Sequence, residues 1–269
     1  PRSRGLGDVY KRQIFDLDGT MYHGNEPIDG AKEIIDYLDD KEIPYQFLTN
    51  NSTKQPIDVA EKLQSFGIKA MEKHVMTSAM ATKEYLIQHK MKRVFVIGED
   101  GLKNTLRSAN IQIVDDESES VDAVIVGLDR EVTYEKFAKA TLLIRNGAKF
   151  ISTNPDKNIP TERGMMPGNG ALTALVQSST GIEPISIGKP NELMIIEILR
   201  LNGWDQTDVL MVGDNYDTDI LTGIHASVDT LHVNTGVTST NQVQDKERQP
   251  TYTVDTLYDW IQRMEDYNE

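Results

Sequence analysis

The chain carries the stretch Ile14-Phe15-Asp16-Leu17-Asp18-Gly19-Thr20, in which two carboxylates stand one residue apart after a short apolar run. Alternate side chains of a strand point to the same face, so a strand that continues to Asp18 places Asp16 and Asp18 in one small volume. Carboxylates this close repel each other unless a cation or a proton lies between them. Mg²⁺ binds such oxygens together with phosphate oxygens, and one carboxylate can act as a nucleophile beside a protonated neighbour. The stretch therefore predicts a strand end that carries metal or acid–base chemistry.

Similar strand ends recur along the chain. Apolar residues at helical spacing in 29–40, between strands at 14–18 and 43–48, predict a β-α-β unit, which implies parallel strands. Open parallel sheets bind ligands at the carboxyl ends of their strands. The polar residues at such ends are Asp16 and Asp18, Thr49 and Asn50, Lys189, and Asp214. We therefore predict an α/β protein with an active site at that edge of the sheet.

The middle of the chain has an α/β pattern of its own, and the first pattern then returns. The predicted middle strands are 94–97, 111–114, 121–126 and 149–152, with helices at 78–88, 101–109, 133–145 and 170–179. Residues 154–169 contain three prolines and two glycines, which predicts a long loop. The last predicted strands are 185–187, 209–212 and 230–233, with helices at 191–202, 217–226 and 254–266.

Composition narrows the class of protein. The net charge of −14 argues against a nucleic-acid or acidic-membrane partner, because no basic field is available for phosphate backbones. The absence of cysteine excludes disulfides, thiolate catalysis and cysteine-based zinc sites. No apolar run approaches the roughly 18 residues of a membrane span, and no signal peptide is visible, so the predicted location is cytoplasmic.

Residues 1–13 differ from the rest, because they are basic in an acidic chain and contain no initiator Met. A buried parallel strand is expected to be almost continuously apolar, yet only Ile14 and Phe15 directly precede Asp16. We therefore expect residues 1–13 to be a non-native or disordered leader, and the first strand to be weakened.

The residue types at the strand ends indicate phosphoryl transfer to water. The acidic residues Asp16, Asp18 and Asp214 can hold Mg²⁺. The Thr49 hydroxyl and the Asn50 amide can hydrogen-bond phosphate oxygens, and Lys189 supplies positive charge.

Each of these residues also has a purely structural interpretation. Thr49-Asn50 could cap a helix, since Thr and Asn are favoured at that position. Thr153-Asn154 follows the same kind of strand and could take the phosphate role by residue type alone. His232, within a predicted strand, is interpreted as a packed histidine and not as a metal ligand.

The chain resembles the phosphatases of the haloacid dehalogenase (HAD) superfamily, whose four motifs occur here in order from residue 14 to about 265. The motifs are Asp16-Leu17-Asp18-Gly19-Thr20, Leu48-Thr49-Asn50, Gly188-Lys189-Pro190 and Gly213-Asp214-Asn215-Tyr216-Asp217-Thr218-Asp219. The NagD-type, acid sugar phosphatase branch is the most similar, through Thr49-Asn50-Asn51-Ser52, Ser152-Thr153-Asn154-Pro155-Asp156 and Pro167-Gly168-Asn169-Gly170. The resemblance implies a Rossmann-like parallel-sheet core of residues 14–76 and 184–269, with an inserted α/β cap domain at 77–183.

The resemblance also implies a role for each motif residue. Asp16 forms a phosphoaspartate, while Asp18 protonates the leaving oxygen and then activates the hydrolytic water. Mg²⁺ is bound by the side chains of Asp16 and Asp214 and by the backbone carbonyl of Asp18. The residues implied to contact the substrate are Thr49, Asn50, Asn51, Lys189 and Asn215. Asp219 is implied to orient Lys189 or the residues around the metal.

The predicted function is a Mg²⁺-dependent phosphoric monoester hydrolase that acts on small phosphorylated metabolites, with sugar phosphates as the first choice. The alternative is a p-nitrophenylphosphatase-like enzyme for glycerol phosphate, nucleoside monophosphates or pyridoxal phosphate. A phospho-accepting signalling domain and a non-catalytic phospho-metabolite-binding protein are further alternatives, although Asp18 as a built-in base disfavours the first. The loop at 154–169 is the candidate surface for substrate choice. The resemblance also allows a homodimer, because caps of this kind can mediate dimers.

Overall fold

The computed structural model describes residues 12–117 and 119–266. The strands in these ranges are β1 (Arg12–Asp16), β2 (Tyr22–His23), β3 (Glu26–Pro27), β4 (Tyr45–Thr49), β5 (Val75–Thr77), β6 (Arg93–Ile97), β7 (Gln112–Ile113), β8 (Ala123–Val126), β9 (Lys149–Ser152), β10 (Asn158–Thr161), β11 (Gly164–Pro167), β12 (Ile185–Ser186), β13 (Val209–Gly213), β14 (Asp229–Val233) and β15 (Tyr252–Val254). The helices are α1 (Ala31–Asp40), α2 (Pro56–Ser65), α3 (Ser78–Gln88), α4 (Asp100–Arg107), α5 (Tyr134–Arg145), α6 (Asn169–Thr180), α7 (Leu193–Asn202), α8 (Leu221–His225), α9 (Thr240–Gln244) and α10 (Leu257–Asp266).

The chain divides into two compact units. The first consists of the described parts of 1–49, 56–76 and 189–269, and the second consists of 50–55 and the described parts of 77–188. The second part of the core was predicted to begin at residue 184, whereas the first unit resumes only at Lys189. The difference arises because β12 pairs in parallel with β9 of the second unit. A two-residue strand carries too little pattern to reveal which of two parallel sheets it joins.

The first unit is built on a parallel sheet with the order β15-β14-β13-β1-β4-β5. β1 lies between β13 and β4, and its pairing with both is parallel. Asp16 is opposite Leu48 in β4, while Phe15 is opposite Val212 in β13. This order brings the carboxyl ends of β4, β1 and β13 next to one another.

The first strand begins and ends two residues earlier than its sequence predicts. β1 begins at Arg12, and Gln13 is fully buried and paired with both neighbouring strands. The Gln13 amide donates to the Met264 sulfur (3.2 Å) and accepts from Trp260 Nε1 (3.4 Å). Residues 12 and 13, assigned to the leader from the sequence, are therefore ordered in β1, because tertiary partners satisfy a polar side chain inside a buried strand. A non-native origin of the leader stays a prediction. Residues 1–11 lie outside the described part of the chain.

The apolar core of the first unit forms where helices pack against its sheet. Phe15 and Phe47 from adjacent strands contact each other with ring centroids 6.4 Å apart. Ile34 and Leu38 of α1 and Trp260 of α10 belong to the same buried cluster. Burial on both faces explains why β13, next to β1, is a continuous apolar run.

The second unit contains a parallel sheet with the order β12-β9-β8-β6-β7. Its core is formed by apolar side chains of β6, β8 and β9 packed against α5 and α6. The predicted long loop at 154–169 is partly wrong, because β10 and β11 form an antiparallel hairpin within it. Prolines at 160 and 167 obscured these strands, yet a two-stranded ribbon has only edge strands, where proline is tolerated.

Smaller differences lie near the end of the chain. α9 and β15 were not predicted, and the last helix begins at Leu257 instead of near residue 254. α7 begins at Leu193, two residues later than predicted. Among the described helices, none is both long enough and apolar enough to cross a membrane.

Candidate active site

An acidic cluster lies at the carboxyl edge of the first unit's sheet. Asp16 is the last residue of β1, and Asp214 directly follows β13. Asp219, one helical turn later, completes the cluster, in which one carboxylate oxygen of each residue lies within 4.8 Å of the others. All three residues are buried.

A single ammonium group bridges two of these carboxylates. Lys189 Nζ donates to Asp16 Oδ1 and, at 2.7 Å, to Asp219 Oδ1. Burial by itself lowers the pKa of Lys189, but the charges of Asp16 and Asp219 outweigh it and raise this pKa. Lys189 therefore stays protonated throughout the physiological pH range.

The cluster holds more negative charge than Lys189 can balance. Burial, and then the charge of Asp219, raise the pKa of Asp16 well above its usual value despite the contact with Lys189. Burial and Asp219 also raise the pKa of Asp214 to about 6. Clustered carboxylates that carry excess negative charge are hard oxygen ligands, which favour a divalent cation. These residues therefore fit a metal ion.

The Asp214 carboxylate is held by two donors that the sequence analysis did not assign. Thr20 Oγ1 donates to Oδ1 (3.1 Å), and the Val237 backbone N–H donates to Oδ2 (2.7 Å). Thr20 lies in the first motif and could have been suspected from its position there. A backbone donor such as that of Val237 leaves no signal in the sequence.

Asp219 and Asn215 fix the turn that follows β13. Asp219 Oδ2 accepts from the Asn215 backbone N–H (3.0 Å), and Oδ1 accepts from Thr218 Oγ1 (3.1 Å). The Asn215 side chain accepts from the Asp217 backbone N–H (3.1 Å) and so caps the helical turn beginning at Tyr216. Asp219 is thus in contact with Lys189 and is also a member of the acidic cluster.

Asp18 lies beyond the end of the strand. Because β1 ends at Asp16, the alternation of side chains along a strand does not place Asp18 on the same face as Asp16. Its side chain is exposed, and its backbone pairs with Tyr22. Gly19 has a φ of +94°, which glycine adopts without strain, and its N–H donates to Tyr22 O (2.8 Å). The chain thus turns sharply between Asp16 and β2.

The second motif is divided between the two units. Thr49 ends β4 in the first unit, whereas Asn50 and Asn51 belong to the second. The Asn50 amide donates to both Asp156 carboxylate oxygens (3.0 and 3.1 Å), and Asn51 Oδ1 accepts from the Thr53 backbone N–H (2.7 Å). The next helix begins only at Pro56, so Thr49-Asn50 is not a helix cap.

The alternative pair Thr153-Asn154 lies in the second unit, where both side chains are buried. Asn154 Nδ2 donates to Asn50 O (2.8 Å), and Thr153 Oγ1 accepts from the Asn169 amide (3.3 Å). These contacts assign the pair to the internal structure of that unit. His232 is also buried, with Nε2 donating to Thr238 O (2.8 Å), as expected of a packed histidine.

Comparison with known proteins gives consistent matches. The family model for haloacid dehalogenase-like hydrolases matches residues 13–112, and one described as HAD-hydrolase-like matches residues 186–260. An acid sugar phosphatase from Staphylococcus saprophyticus is 50% identical over 257 residues, which cover 95% of this chain and 98% of that protein.

Solved structures with the same fold agree with these matches. A single mutant of a thermostable NPPase from Geobacillus stearothermophilus has a TM-score of 0.88 and 48% identity, covering 94% of this chain and 98% of that chain. A 4-nitrophenylphosphatase from Thermotoga maritima has a TM-score of 0.89 and 31% identity, covering 97% of this chain and 100% of that chain.

Proposed function

The chain belongs to the haloacid dehalogenase-like hydrolases and is a phosphatase, and we propose that it hydrolyses small sugar phosphates through a phosphoaspartate on Asp16. The observation that carries this proposal is the buried Asp16 at the end of β1, which contacts Lys189 and has carboxylate oxygens of Asp214 and Asp219 within 4.8 Å. The choice of sugar phosphates is supported by the relatives named acid sugar phosphatase. The neighbour named 4-nitrophenylphosphatase supports a p-nitrophenylphosphatase-like activity as the alternative. Glycerol phosphate, nucleoside monophosphates and pyridoxal phosphate stay as its candidate substrates.

In the proposed first step, an Asp16 oxygen attacks phosphorus and the ester P–O bond breaks. Asp18 donates a proton to the leaving oxygen, so the alcohol departs neutral. In the second step, Asp18 removes a proton from a water molecule, which attacks phosphorus while the bond to Asp16 breaks. Inorganic phosphate leaves, and both carboxyl groups return to their initial states. Lys189 favours the ionised form of Asp16, partly offsetting the effect of burial on its pKa, and balances charge on the phosphate oxygens.

We propose Mg²⁺ as the ion, with Asp16, Asp214 and the backbone carbonyl of Asp18 as its protein ligands. When bound, it supplies positive charge to the phosphate and to the carboxylates around it. Asp219 is proposed to orient Lys189, which agrees with their 2.7 Å contact. The proposed substrate contacts remain those of the motifs, namely Thr49, Asn50, Asn51, Lys189 and Asn215.

The proposal is tested by measuring phosphate release from a panel of sugar phosphates, the alternative substrates and p-nitrophenyl phosphate. We expect turnover with Mg²⁺, loss of at least about 10³-fold with EDTA and recovery on adding Mg²⁺ back. Equal rates with and without EDTA contradict the metal assignment. A phosphoenzyme that persists for minutes indicates a signalling domain, whereas tight binding of a phosphorylated compound without release indicates a binding protein. A cytoplasmic location and a homodimer stay predictions.

We further propose that the second unit, which contains the predicted cap segment 77–183, sets substrate choice through the β10–β11 hairpin. Most of the hairpin side chains are exposed, including Met165 at 69%. Gly168 N–H donates to Lys157 O (2.8 Å), so the two ends of the hairpin meet. A hairpin closed at its base can be shortened without opening the chain around it.

Replacing residues 158–167 with a two-residue Asn-Gly turn is therefore expected to change the order of kcat/KM values across the panel. Hydrolysis of p-nitrophenyl phosphate is expected to stay within about tenfold of the natural chain, because the reacting groups are untouched. An Arg163→Ala variant, altered only at the exposed hairpin tip, serves as a milder control. An unchanged order in a folded shortened protein contradicts the role of the hairpin.

A further inference from the structure

The Asp214 carboxylate lies between two glycines of different loops. A Cβ atom added to Gly19 would lie 2.5 Å from the carboxylate, and one added to Gly236 would lie 2.0 Å from Oδ2. Both distances are shorter than any normal carbon–oxygen contact. The two backbones therefore form the walls of a slot that only glycine can line, and the slot limits how the carboxylate can turn.

Thr235 connects these two walls. Its Oγ1 donates to Gly19 O (2.6 Å), and it directly precedes Gly236 in sequence. Its backbone carbonyl accepts from His23 Nε2 (2.7 Å), which adds a link to β2. The loop after β1 and the loop after β14 are thus fastened to each other at one residue.

The same loop is fastened on its other side through Thr238. The Thr238 N–H donates to Asp214 O (3.3 Å), and its Oγ1 accepts from the Tyr216 N–H (3.0 Å). His232 Nε2 donates to Thr238 O from the buried strand β14 below. Residues 235–238, which we call the clamp loop, are therefore held at both ends, with the Val237 donor to Asp214 between them.

We propose that Thr235 is a positioning residue that keeps the Asp214 carboxylate in the orientation required for metal binding. Without the Thr235 hydroxyl, Gly19 O loses its donor and the two walls of the slot can separate. Asp214 then keeps its ligand atoms but loses their fixed direction. Groups that orient a metal ligand in this way typically change metal affinity by about 10–100-fold when removed. The inference rests on the proposed function, in which Asp214 binds the metal.

The test compares Thr235→Val, which is nearly isosteric but has no hydroxyl, with Thr235→Ser, which retains it. Metal binding is measured without substrate, by calorimetric titration of the apo full chain with Mg²⁺ and by the electron paramagnetic resonance of Mn²⁺. We expect Thr235→Val to raise the Kd about tenfold and Thr235→Ser to remain within about threefold of the natural chain. Because saturating metal restores the orientation, kcat at high Mg²⁺ is expected to recover while the activation constant stays raised.

Two further variants separate positioning from a general loss of stability. Thr256→Val removes a hydroxyl that donates to Asp259 Oδ2 (2.9 Å) at the start of α10, so it is expected to lower the melting temperature without changing the Kd. Gly236→Ala pushes a methyl group into the slot and is expected to weaken metal binding more than Thr235→Val does. If Thr235→Val does not fold, Gly236→Ala decides the test.

The outcomes distinguish this inference from the proposed function. A natural chain that binds neither Mg²⁺ nor Mn²⁺ overturns the metal site itself. A natural chain that binds metal, together with folded Thr235→Val and Gly236→Ala proteins of unchanged Kd, overturns only the positioning role. A raised Kd in Thr235→Val that Thr235→Ser does not share supports the role.

Discussion

The Asp16→Asn protein is expected to release no phosphate above background from any substrate that the natural chain hydrolyses. An amide oxygen is a poor nucleophile toward phosphorus and a poor ligand for a divalent ion, so one substitution removes both functions. Loss of a nucleophile commonly lowers kcat by 10⁴-fold or more, and we expect a decrease of at least about 10⁴-fold. The measurement is steady-state phosphate release at saturating Mg²⁺, with an acid-quenched search for phosphoenzyme.

The substitution is expected to leave the fold intact. Asparagine has the shape of aspartate, and Lys189 keeps its contact with Asp219. Because burial already disfavours the ionised form of Asp16, removing that charge relieves repulsion in the acidic cluster. Asp40→Asn makes the same chemical change at an exposed position and is expected to retain full activity. Phosphoenzyme formation or near-normal turnover by Asp16→Asn contradicts the assignment of Asp16 as nucleophile.

The residues at the strand ends were predictable because their signal is local. Asp16, Lys189 and Asp214 each follow an apolar segment, and in a parallel sheet the carboxyl ends of neighbouring strands meet at one edge. The structure brings these three residues together with Asp219. The adjacency of Asp16 and Asp214 follows from the parallel pairing of β1 with β13. Lys189 instead follows β12, which belongs to the other sheet, so connectivity within one sheet does not explain its contact with Asp16.

Contacts made by the backbone or across long sequence separations were not predictable in this way. Almost any residue at position 237 would offer the same backbone N–H, so the hydrogen bond to Asp214 has no sequence signal. Gln13 looked unsuited to a buried strand, because its partners Trp260 and Met264 lie about 250 positions away in the sequence. The slot around Asp214 likewise depends on Gly19 and Gly236, which meet only in the folded chain.

Replacing Lys189 with methionine is expected to have the second-largest effect, on both activity and stability. Lys189 is 4% exposed and is the cation in contact with both Asp16 and Asp219. Removing one partner of a buried ion pair leaves uncompensated charge and typically costs about 3–5 kcal/mol in the free energy of unfolding. With the phosphate-binding charge also lost, kcat/KM is expected to fall by about 10³-fold or more. Lys246→Met, which removes the partner of the exposed Asp217, is the control and is expected to change stability by at most about 1 kcal/mol.

The destabilisation is expected to depend on pH, and its sign follows from the pKa of Asp16. Burial and Asp219 already raise this pKa, and the loss of Lys189 raises it further above the value in the unfolded chain. The folded variant then binds more protons than its unfolded state, so its stability falls as the pH rises. In EDTA, the deficit relative to the natural chain is therefore expected to be larger at pH 8 than at pH 5, as measured by urea denaturation.

Adding Asp219→Asn to Lys189→Met separates the two effects of the lysine. One buried carboxylate is then removed along with the ammonium group, so part of the lost stability is expected to return while activity stays absent. Such a recovery is a coupling between neighbouring groups, which a double-mutant cycle measures directly. A double variant that is less stable than Lys189→Met by the full cost of a separate Asp219→Asn change shows that the two residues do not interact. That result contradicts the charge balance on which the proposed site depends.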